Sequence, residues 1–361
     1  METKKTPTRP AKPTPTLPLH LGKYEILDEI GRGGFATVYK ARDTKMGRPV
    51  ALKVIMGEHV QDTEFIARFR HEAQTAANLR HPNIVPIYDL GEANGALYLA
   101  MALIEGLTLR QCLDKRECMS LEQALPILTQ LAEALDYLHD HGLVHRDIKP
   151  SNVMLELDED RPPCVTLTDF GLVRALEASV SLTPTAHILG TPTYLAPEQA
   201  DPEQWGEITP ATDIYALGVI VYEMLVGAPP FVGELAAVIH AHANKTPALS
   251  PELATDLEKD LVAVLMHALV KSPQKRFPKA SALVRGLDQV SQARVRRARQ
   301  AIRLDQLLQQ AQTERKSGNW LTVQETCVQA MKIDRTHPDI LALMEEATLE
   351  LRRESAQETA R

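Results

Sequence analysis

The sequence predicts an α+β protein with a small strand-rich lobe, a larger helical lobe and a short all-α C-terminal extension. Short β-branched runs joined by turns dominate residues 24–103, a pattern typical of strands. Helical periodicity dominates from Leu121 onward, and beyond about Val290 the composition shifts to Arg, Gln, Glu and Ala. At 361 residues, the chain has room for one large domain and a smaller appendage.

Composition divides the chain into three segments. Residues 1–23 form a Pro- and Thr-rich arm with few large apolar side chains, and we expect it to be disordered because it cannot bury enough surface to fold. Residues 24–286 form the predicted two-lobed domain. Residues 287–361 form the helical extension, in which Gly318 and Asn319 separate helices.

The elements of the two-lobed domain follow in order from the hydrophobic pattern. The first lobe is predicted to contain one helix, at 64–79, and strands at 24–30, 37–42, 50–55, 84–88 and 97–103. The second lobe is predicted to contain helices at 121–139, 213–226, 235–243 and 257–270.

Charge and cysteine content exclude several classes of protein. The net charge is −7; residues 1–20 carry +3 and residues 291–361 carry +2, which leaves −12 for residues 21–290. That balance argues against a nucleic-acid partner. The four cysteines show no metal-ligand spacing, which fits a reducing compartment. No apolar run is long enough to span a bilayer, so we expect a cytoplasmic protein without a membrane span.

The strongest chemical signal is H-R-D-I-K-P-S-N at residues 145–152, followed by D-F-G at 169–171. Asp147 is the candidate base that accepts a hydroxyl proton, and Lys149 would neutralise charge on a phosphoryl group in transit. Asn152 and Asp169 supply the oxygen ligands that Mg²⁺ prefers. The two motifs in this order predict phosphoryl transfer from a nucleotide to a hydroxyl.

A glycine-rich segment, G-R-G-G-F-A-T-V at residues 31–38, approximates the pattern G-x-G-x-x-G-x-V. Glycines let the backbone approach phosphates closely, but similar spacing occurs in dinucleotide-binding folds. Here the loop opens a second strand rather than a helix, which argues against that alternative. Ala36 replaces the third glycine, and we expect only a modest effect on the loop.

Lys53 ends the strand motif V-A-L-K at residues 50–53 and is predicted to hold the α- and β-phosphates. It needs an acidic partner to fix its side chain, and Glu72 lies on the following helix. A lone Lys–Glu pair is usually a surface contact of little energy. The order of these residues between the glycine loop and H-R-D favours the functional interpretation.

The complete motif series over residues 24–286 resembles the bacterial eukaryotic-like (Hanks-type) serine/threonine protein kinases. This resemblance implies a bilobal protein kinase fold, ATP as donor, Mg²⁺ or Mn²⁺ as cofactor, and autophosphorylation. It also implies that Met101 screens the back of the adenine pocket, while the backbones of Ala102 and Ile104 meet the adenine edge. The implied ATP-binding set comprises Ile30, Gly31, Arg32, Gly33, Gly34, Phe35, Ala36, Val38, Ala51, Lys53, Glu72, Met101, Ala102, Ile104 and Met154.

The acceptor side is carried by G-T-P-T-Y-L-A-P-E at residues 190–198. By the same resemblance, Thr191 would hydrogen-bond Asp147 and Lys149 and favour Ser or Thr acceptors over Tyr. Glu198 would pair with Arg276 in a structural bridge. Asp213 would anchor the catalytic loop through its backbone.

Regulation is predicted in the segment that follows D-F-G. The guanidinium groups of Arg146 and Arg174 would repel each other until a phosphate lies between them. Thr183 and Thr185 occupy positions where related bacterial kinases carry their autophosphorylation pair. The alternative is an unmodified polar loop.

The C-terminal extension is similar in part to a tetratricopeptide repeat over residues 309–333, with a further helix predicted at 338–352. A single repeat cannot bury its apolar face alone. It could therefore dock on the kinase domain, form a homodimer or bind a partner peptide, and a generic helical extension is an equal alternative.

Three functions compete. The leading hypothesis is an active serine/threonine kinase with protein substrates, and the second is a pseudokinase scaffold that acts through its helical tail. Loss of Lys53, Asp147, Asn152 or Asp169 would favour the scaffold, but all four are present. A small-molecule phosphotransferase is disfavoured by the intact A-P-E segment, which resembles a peptide-docking shelf.

Overall fold

The computed structural model describes residues 20–33, 36–55, 63–115, 118–158, 160–169, 192–248 and 259–359. These residues fall into two compact units, with the division between Arg285 and Gly286. The first unit contains an antiparallel sheet followed by helices, so the predicted α+β class is confirmed.

A six-stranded antiparallel sheet forms the small lobe, in the order β1-β2-β3-β4-β6-β5. An apolar cluster on this sheet includes Tyr24, Leu52 and Val54, which are almost fully buried. Asn94 and Gly95 both adopt positive φ angles between β5 and β6, as expected for a two-residue Asn-Gly hairpin turn. The strands are β1 His20–Leu21, β2 Tyr24–Arg32, β3 Ala36–Asp43, β4 Arg48–Ile55, β5 Ile87–Ala93 and β6 Ala96–Met101.

The strand predicted at 84–88 is displaced, since β5 begins only at Ile87. Residues 84 and 85 pair instead with Leu167, in the part of the chain that follows the helix at Leu121–Asp140: Ile84 bridges Leu167, and the N–H of Val85 donates to the carbonyl of Leu167 at 3.0 Å. Pro86 has no N–H to donate and therefore separates this pairing from the sheet.

The large lobe is mainly helical, and its helix at Pro210–Val226 is almost entirely buried. Two capping boxes begin earlier helices, with Thr108 and Ser120 as the N-caps. Together with α1 of the small lobe, the helices of the first unit are α1 Thr63–Ala77, α2 Leu109–Leu113, α3 Leu121–Asp140, α4 Pro197–Ala200, α5 Pro202–Trp205, α6 Pro210–Val226, α7 Leu235–Asn244 and α8 Lys259–Ala268.

A second sheet has three strands in the order β7-β8-β9, of which β7 precedes α2 in sequence and the other two follow α3. Its strands are β7 Leu107–Thr108, β8 Val153–Glu156 and β9 Cys164–Leu167. A Cβ atom at Gly106 would lie 2.3 Å from the carbonyl oxygen of Leu155. Only glycine therefore permits β7 to approach β8 at this point.

The described part of the second unit is built from three helices, α9 Ala280–Lys316, α10 Trp320–Met331 and α11 Pro338–Thr359. Helix α9 begins in the first unit and is longer than the composition shift suggested. Leu307, Val323, Cys327 and Ile340 are among the buried side chains of a separate apolar cluster in the second unit. The tetratricopeptide resemblance stays a prediction. Within the described ranges, no helix is both long and apolar enough to cross a membrane.

Candidate active site

Asp147 and Lys149 form a close ion pair in the segment after α3. Lys149 Nζ lies 2.7 Å from Asp147 Oδ2. The buried Asn152 donates from Nδ2 to the backbone carbonyl of Asp147 at 2.8 Å and to its Oδ2 at 3.2 Å. These contacts hold the Asp147 carboxylate beside an ammonium and an amide, an arrangement suited to a positioned base.

The side chain of Asp213, near the start of α6, anchors the backbone of the segment that contains Asp147. Its Oδ2 accepts from the N–H of His145 at 2.7 Å, and its Oδ1 accepts from the N–H of Arg146 at 2.8 Å. His139 Nε2 lies 2.8 Å from the same carboxylate. The sequence indicated the role of Asp213, but the contribution of His139 depends on the tertiary fold.

His145 lies buried behind the candidate base. Its Nε2 donates to the carbonyl of Thr168 at 3.1 Å, while Nδ1 accepts from the N–H of Asp147 at 3.3 Å. Burial lowers the pKa of His145, which favours this neutral form. His145 thus connects the Asp147 segment to the residue that precedes Asp169. His145 was part of the predicted H-R-D motif, but the motif does not predict which atoms its ring contacts.

Asn152 directly precedes β8, and Asp169 follows the end of β9 by two residues. Val153 pairs with Leu167, and the N–H of Thr168 donates to the carbonyl of Asn152 at 2.8 Å. This pairing brings the predicted metal-ligand residues to one end of the hairpin. Asn152 uses its Nδ2 on Asp147, which leaves its side-chain carbonyl oxygen as the atom that could bind a cation.

Lys53, on β4, contacts Asp169 with 2.9 Å between Nζ and Oδ1. Burial alone would raise the pKa of Asp169, but the charge and hydrogen bond of Lys53 outweigh it and lower that pKa. The carboxylate is therefore ionised, as a metal ligand requires. Glu72 lies at a half-buried position on α1.

The candidate adenine-binding residues lie where the two lobes join. Ala51 pairs with Met101 across β4 and β6, and both are buried. Val38, on β3, and Met154, on β8, are half-buried apolar residues. The N–H of Ala102 donates to the carbonyl of Pro86 at 2.9 Å. That contact leaves the carbonyl of Ala102 for a ligand. Ile104 follows in the linking segment.

The glycine loop is described on both sides of Gly34 and Phe35, which lie outside the described residues. Ile30, Gly31 and Arg32 belong to β2, and the N–H of Gly33 donates to the carbonyl of Ala36 at 2.8 Å. The exposed Arg32 guanidinium pairs with Glu29, so its side chain is directed to a neighbour on the same strand.

On the acceptor side, Glu198 and Arg276 form a fully buried, bidentate ion pair with two bonds of 2.8 Å. Thr212 adds a hydrogen bond of 2.7 Å to Glu198. The predicted residues Thr191, Thr183, Thr185 and Arg174 lie outside the described residues.

A second buried carboxylate supports Tyr194, a residue that sequence reasoning missed. Glu223 accepts from the Tyr194 hydroxyl, and its other oxygen lies 2.6 Å from Arg110 Nη1. Burial and the hydrogen bond to Glu223 raise the pKa of Tyr194 far above its ordinary value. No motif signals this trio, because its members are 29 and 84 residues from Tyr194.

Comparisons with known proteins agree with this arrangement. The family model described as "Protein kinase domain" matches residues 24–285. The chain is 39% identical over 272 residues to serine/threonine-protein kinase PknB of Mycobacterium leprae (strain TN), covering 74% of this chain and 43% of that protein. It is 40% identical over 264 residues to serine/threonine-protein kinase PrkC of Bacillus subtilis (strain 168), covering 72% of this chain and 39% of that protein.

Solved structures of kinase domains are also similar to this chain. The kinase domain of Mycobacterium tuberculosis PknI superimposes with a TM-score of 0.57 at 28% identity, over 75% of this chain and 97% of that one. The chain spans less than half the length of the two curated relatives named above.

Proposed function

The chain belongs to the protein kinase family, and from this premise we propose that it is a serine/threonine kinase that phosphorylates proteins. The observation that carries the proposal is the cluster of Asp147, Lys149, Asn152 and Asp169, held by the contacts described above. The names of the relatives support Ser and Thr as the acceptors.

In the proposed reaction, a Ser or Thr hydroxyl of the acceptor attacks the γ-phosphorus of ATP. A new oxygen–phosphorus bond forms, the bond to the bridging β–γ oxygen breaks, and ADP leaves. Asp147 orients the hydroxyl and takes its proton, while Lys149 stabilises the transferring phosphoryl group. Because Asp147 is already held by Lys149 and Asn152, most of the acceleration would come from positioning and electrostatics.

The protein kinase family implies ATP and a divalent metal ion. Asn152 and Asp169 fit such an ion, because one offers an amide oxygen and the other an ionised carboxylate. We propose Mg²⁺ or Mn²⁺, which would neutralise charge on the β- and γ-phosphates when bound. Lys53 would hold the α- and β-phosphates, with Glu72 as the acid that orients it.

The predicted ATP pocket and acceptor residues remain proposals. Val38, Ala51 and Met154 would enclose the adenine ring, with Met101 behind it and the backbones of Ala102 and Ile104 at its edge. The backbone of residues 30–36 would cover the phosphates. Thr191 would restrict acceptors to Ser and Thr.

Regulation by autophosphorylation is supported by Arg146. Its Nε is buried and has no hydrogen-bond partner within the described part of the chain. A buried unpaired guanidinium N–H is unfavourable, and a phosphate on Thr183 or Thr185 could satisfy it together with Arg174. The proposal is that a phosphate on one of these threonines switches the kinase by pairing with both arginines.

The C-terminal unit is proposed to bind a partner. A cavity of about 560 Å³ opens beside Trp320 and the Arg315–Glu346 ion pair. It suits a short peptide, with a second copy of the chain as the alternative.

The boundaries of the arm (1–23), the kinase domain (24–286) and the extension (287–361) are also proposed. All four cysteines are free, which supports a reducing, cytoplasmic setting.

The test is transfer of radiolabelled γ-phosphate by the purified chain to itself and to a basic protein acceptor, beside an Asp147→Asn control. Label that requires Asp147 would support the kinase, and mapping it would test Thr183 and Thr185. Nucleotide binding without transfer in Mg²⁺ or Mn²⁺ would favour the pseudokinase scaffold.

A further inference from the structure

The backbone of Arg146, directly before Asp147, has the left-handed conformation, with φ of 66°. Residues with a side chain rarely adopt this strained conformation, which persists only where the surroundings hold it. The peptide group between Arg146 and Asp147 therefore needs partners that fix it.

Two side chains hold Arg146, one on each side. Asp213 accepts from its N–H, as described above. Its carbonyl accepts from Nε2 of Gln199 at 2.8 Å. This carbonyl belongs to the peptide group that carries the nitrogen of Asp147. Gln199 thus contacts the Arg146–Asp147 peptide group, and the orientation of this peptide determines the position of the Asp147 Cα and the direction of its side chain.

The other end of the Gln199 amide is also occupied. Its Oε1 accepts from the N–H of Ala196 at 3.0 Å, at the N-terminus of α4. The neighbouring Glu198 is fixed by Arg276. The amide of Gln199 is therefore held in one orientation and joins the A-P-E segment to the catalytic loop.

We propose that Gln199 is a positioning residue for phosphoryl transfer, which acts by fixing the Arg146–Asp147 peptide. This inference rests on the proposed kinase function. The side chain must both accept from Ala196 and donate to Arg146. Glutamate at this position could accept from Ala196, but its second oxygen would face the Arg146 carbonyl without a proton to donate.

The test uses the full chain with Gln199→Met, which removes both bonds, and Gln199→Glu, which removes only the bond to Arg146. The matched control is Gln204→Met, since Gln204 is exposed on the adjacent helix α5. For each variant, kcat and the KM values for ATP and a protein acceptor are measured, together with the thermal midpoint.

Displacing the base by a fraction of an ångström lowers kcat without changing nucleotide binding, so we expect kcat to fall by about 10- to 100-fold in both Gln199 variants. The KM for ATP should stay within about twofold, and Gln204→Met should match the wild type. A kcat in Gln199→Glu equal to that of the wild type would overturn the inference.

A second readout separates this inference from the proposed function. Backbone amide hydrogen exchange in residues 145–149 should be faster in Gln199→Met than in Gln204→Met. If the wild-type chain transfers no phosphate, the kinase proposal fails, while the exchange still reports whether Gln199 holds the loop. Unchanged exchange would contradict the inference whatever the activity.

Discussion

The ammonium of Lys53 and the carboxylate of Asp169 meet at 2.9 Å, although 116 residues separate them in the chain. One residue comes from the sheet of the small lobe and the other from the end of the β8–β9 hairpin. Their contact therefore joins the two lobes at the point where phosphates and a cation are proposed to bind.

Lys53→Met should abolish most phosphoryl transfer. It removes the charge proposed for the α- and β-phosphates and releases Asp169 from its partner, so we expect kcat to fall at least about 100-fold. Initial rates at saturating ATP measure the effect. Lys40→Met, an exposed lysine on the neighbouring strand β3, serves as the control and should keep the wild-type rate. Equal rates in the two variants would contradict the role of Lys53.

Breaking the Glu198–Arg276 pair should destabilise the first unit. Arg276→Met leaves a carboxylate that is fully buried, with Thr212 as its remaining described partner, and such losses cost about 3–5 kcal/mol. Urea unfolding measures the change. The double variant Glu198→Gln with Arg276→Met should lose less than the sum of the single variants, because no isolated charge stays buried. Strictly additive losses would argue against direct coupling.

His242 should make stability sensitive to acid. Burial lowers the pKa of His242 to about 4, from an ordinary value of 6.5. Between these values the unfolded chain binds a proton that the folded chain does not, so stability falls as the pH drops from 6.5 towards 4. At pH 5 the loss relative to pH 7 should be about 2 kcal/mol.

Chemical unfolding of the wild type and of His242→Gln at the two pH values checks this expectation. The difference in unfolding free energy between pH 7 and pH 5 should be smaller in the variant. An equal difference in both proteins would show that His242 does not carry this dependence.

Tyr194→Phe should weaken the use of protein acceptors more than the binding of ATP. The variant removes the hydrogen bond to the buried Glu223 and loosens the segment that follows the predicted acceptor-specificity residue Thr191. We expect a destabilisation of about 1–2 kcal/mol and a higher acceptor KM.

The control is Tyr222→Phe, which removes a tyrosine hydroxyl that donates to the carbonyl of Ala248. It should leave the acceptor KM unchanged. A similar rise in both variants would mean that general stability, and not the Tyr194 contact, sets the acceptor KM.

The sequence predicted the α+β class because motif order and hydrophobic periods are local signals. It misplaced β5 because Pro86 shifts pairing, and the tertiary contact of Ile84 with Leu167 is not visible in a local pattern. Helix α9 starts at Ala280, before the change in composition at about Val290. A single helix can contain both the apolar residues of its first turns and the polar residues that follow, so composition alone does not mark where it begins.

Contacts between distant residues were the least predictable part of the candidate site. Glu198 and Arg276 could be paired in advance because a known family supplied the expectation. Gln199 and Tyr194 could not, because their partners Arg146 and Glu223 are brought near only by folding. Tyr194 lies in the motif at residues 190–198 and Gln199 directly follows it, but the motif does not predict either contact.

The glycine at position 106 has a consequence for drug design. A Cβ at this position would collide with the carbonyl oxygen of Leu155, so a larger residue there would displace β8, which directly follows Asn152. An inhibitor that extends from the proposed adenine pocket along the interlobe segment and rests on Gly106 would therefore meet a residue that cannot be enlarged without a shift of β8. Escape by enlarging this residue would damage the enzyme together with the inhibitor site.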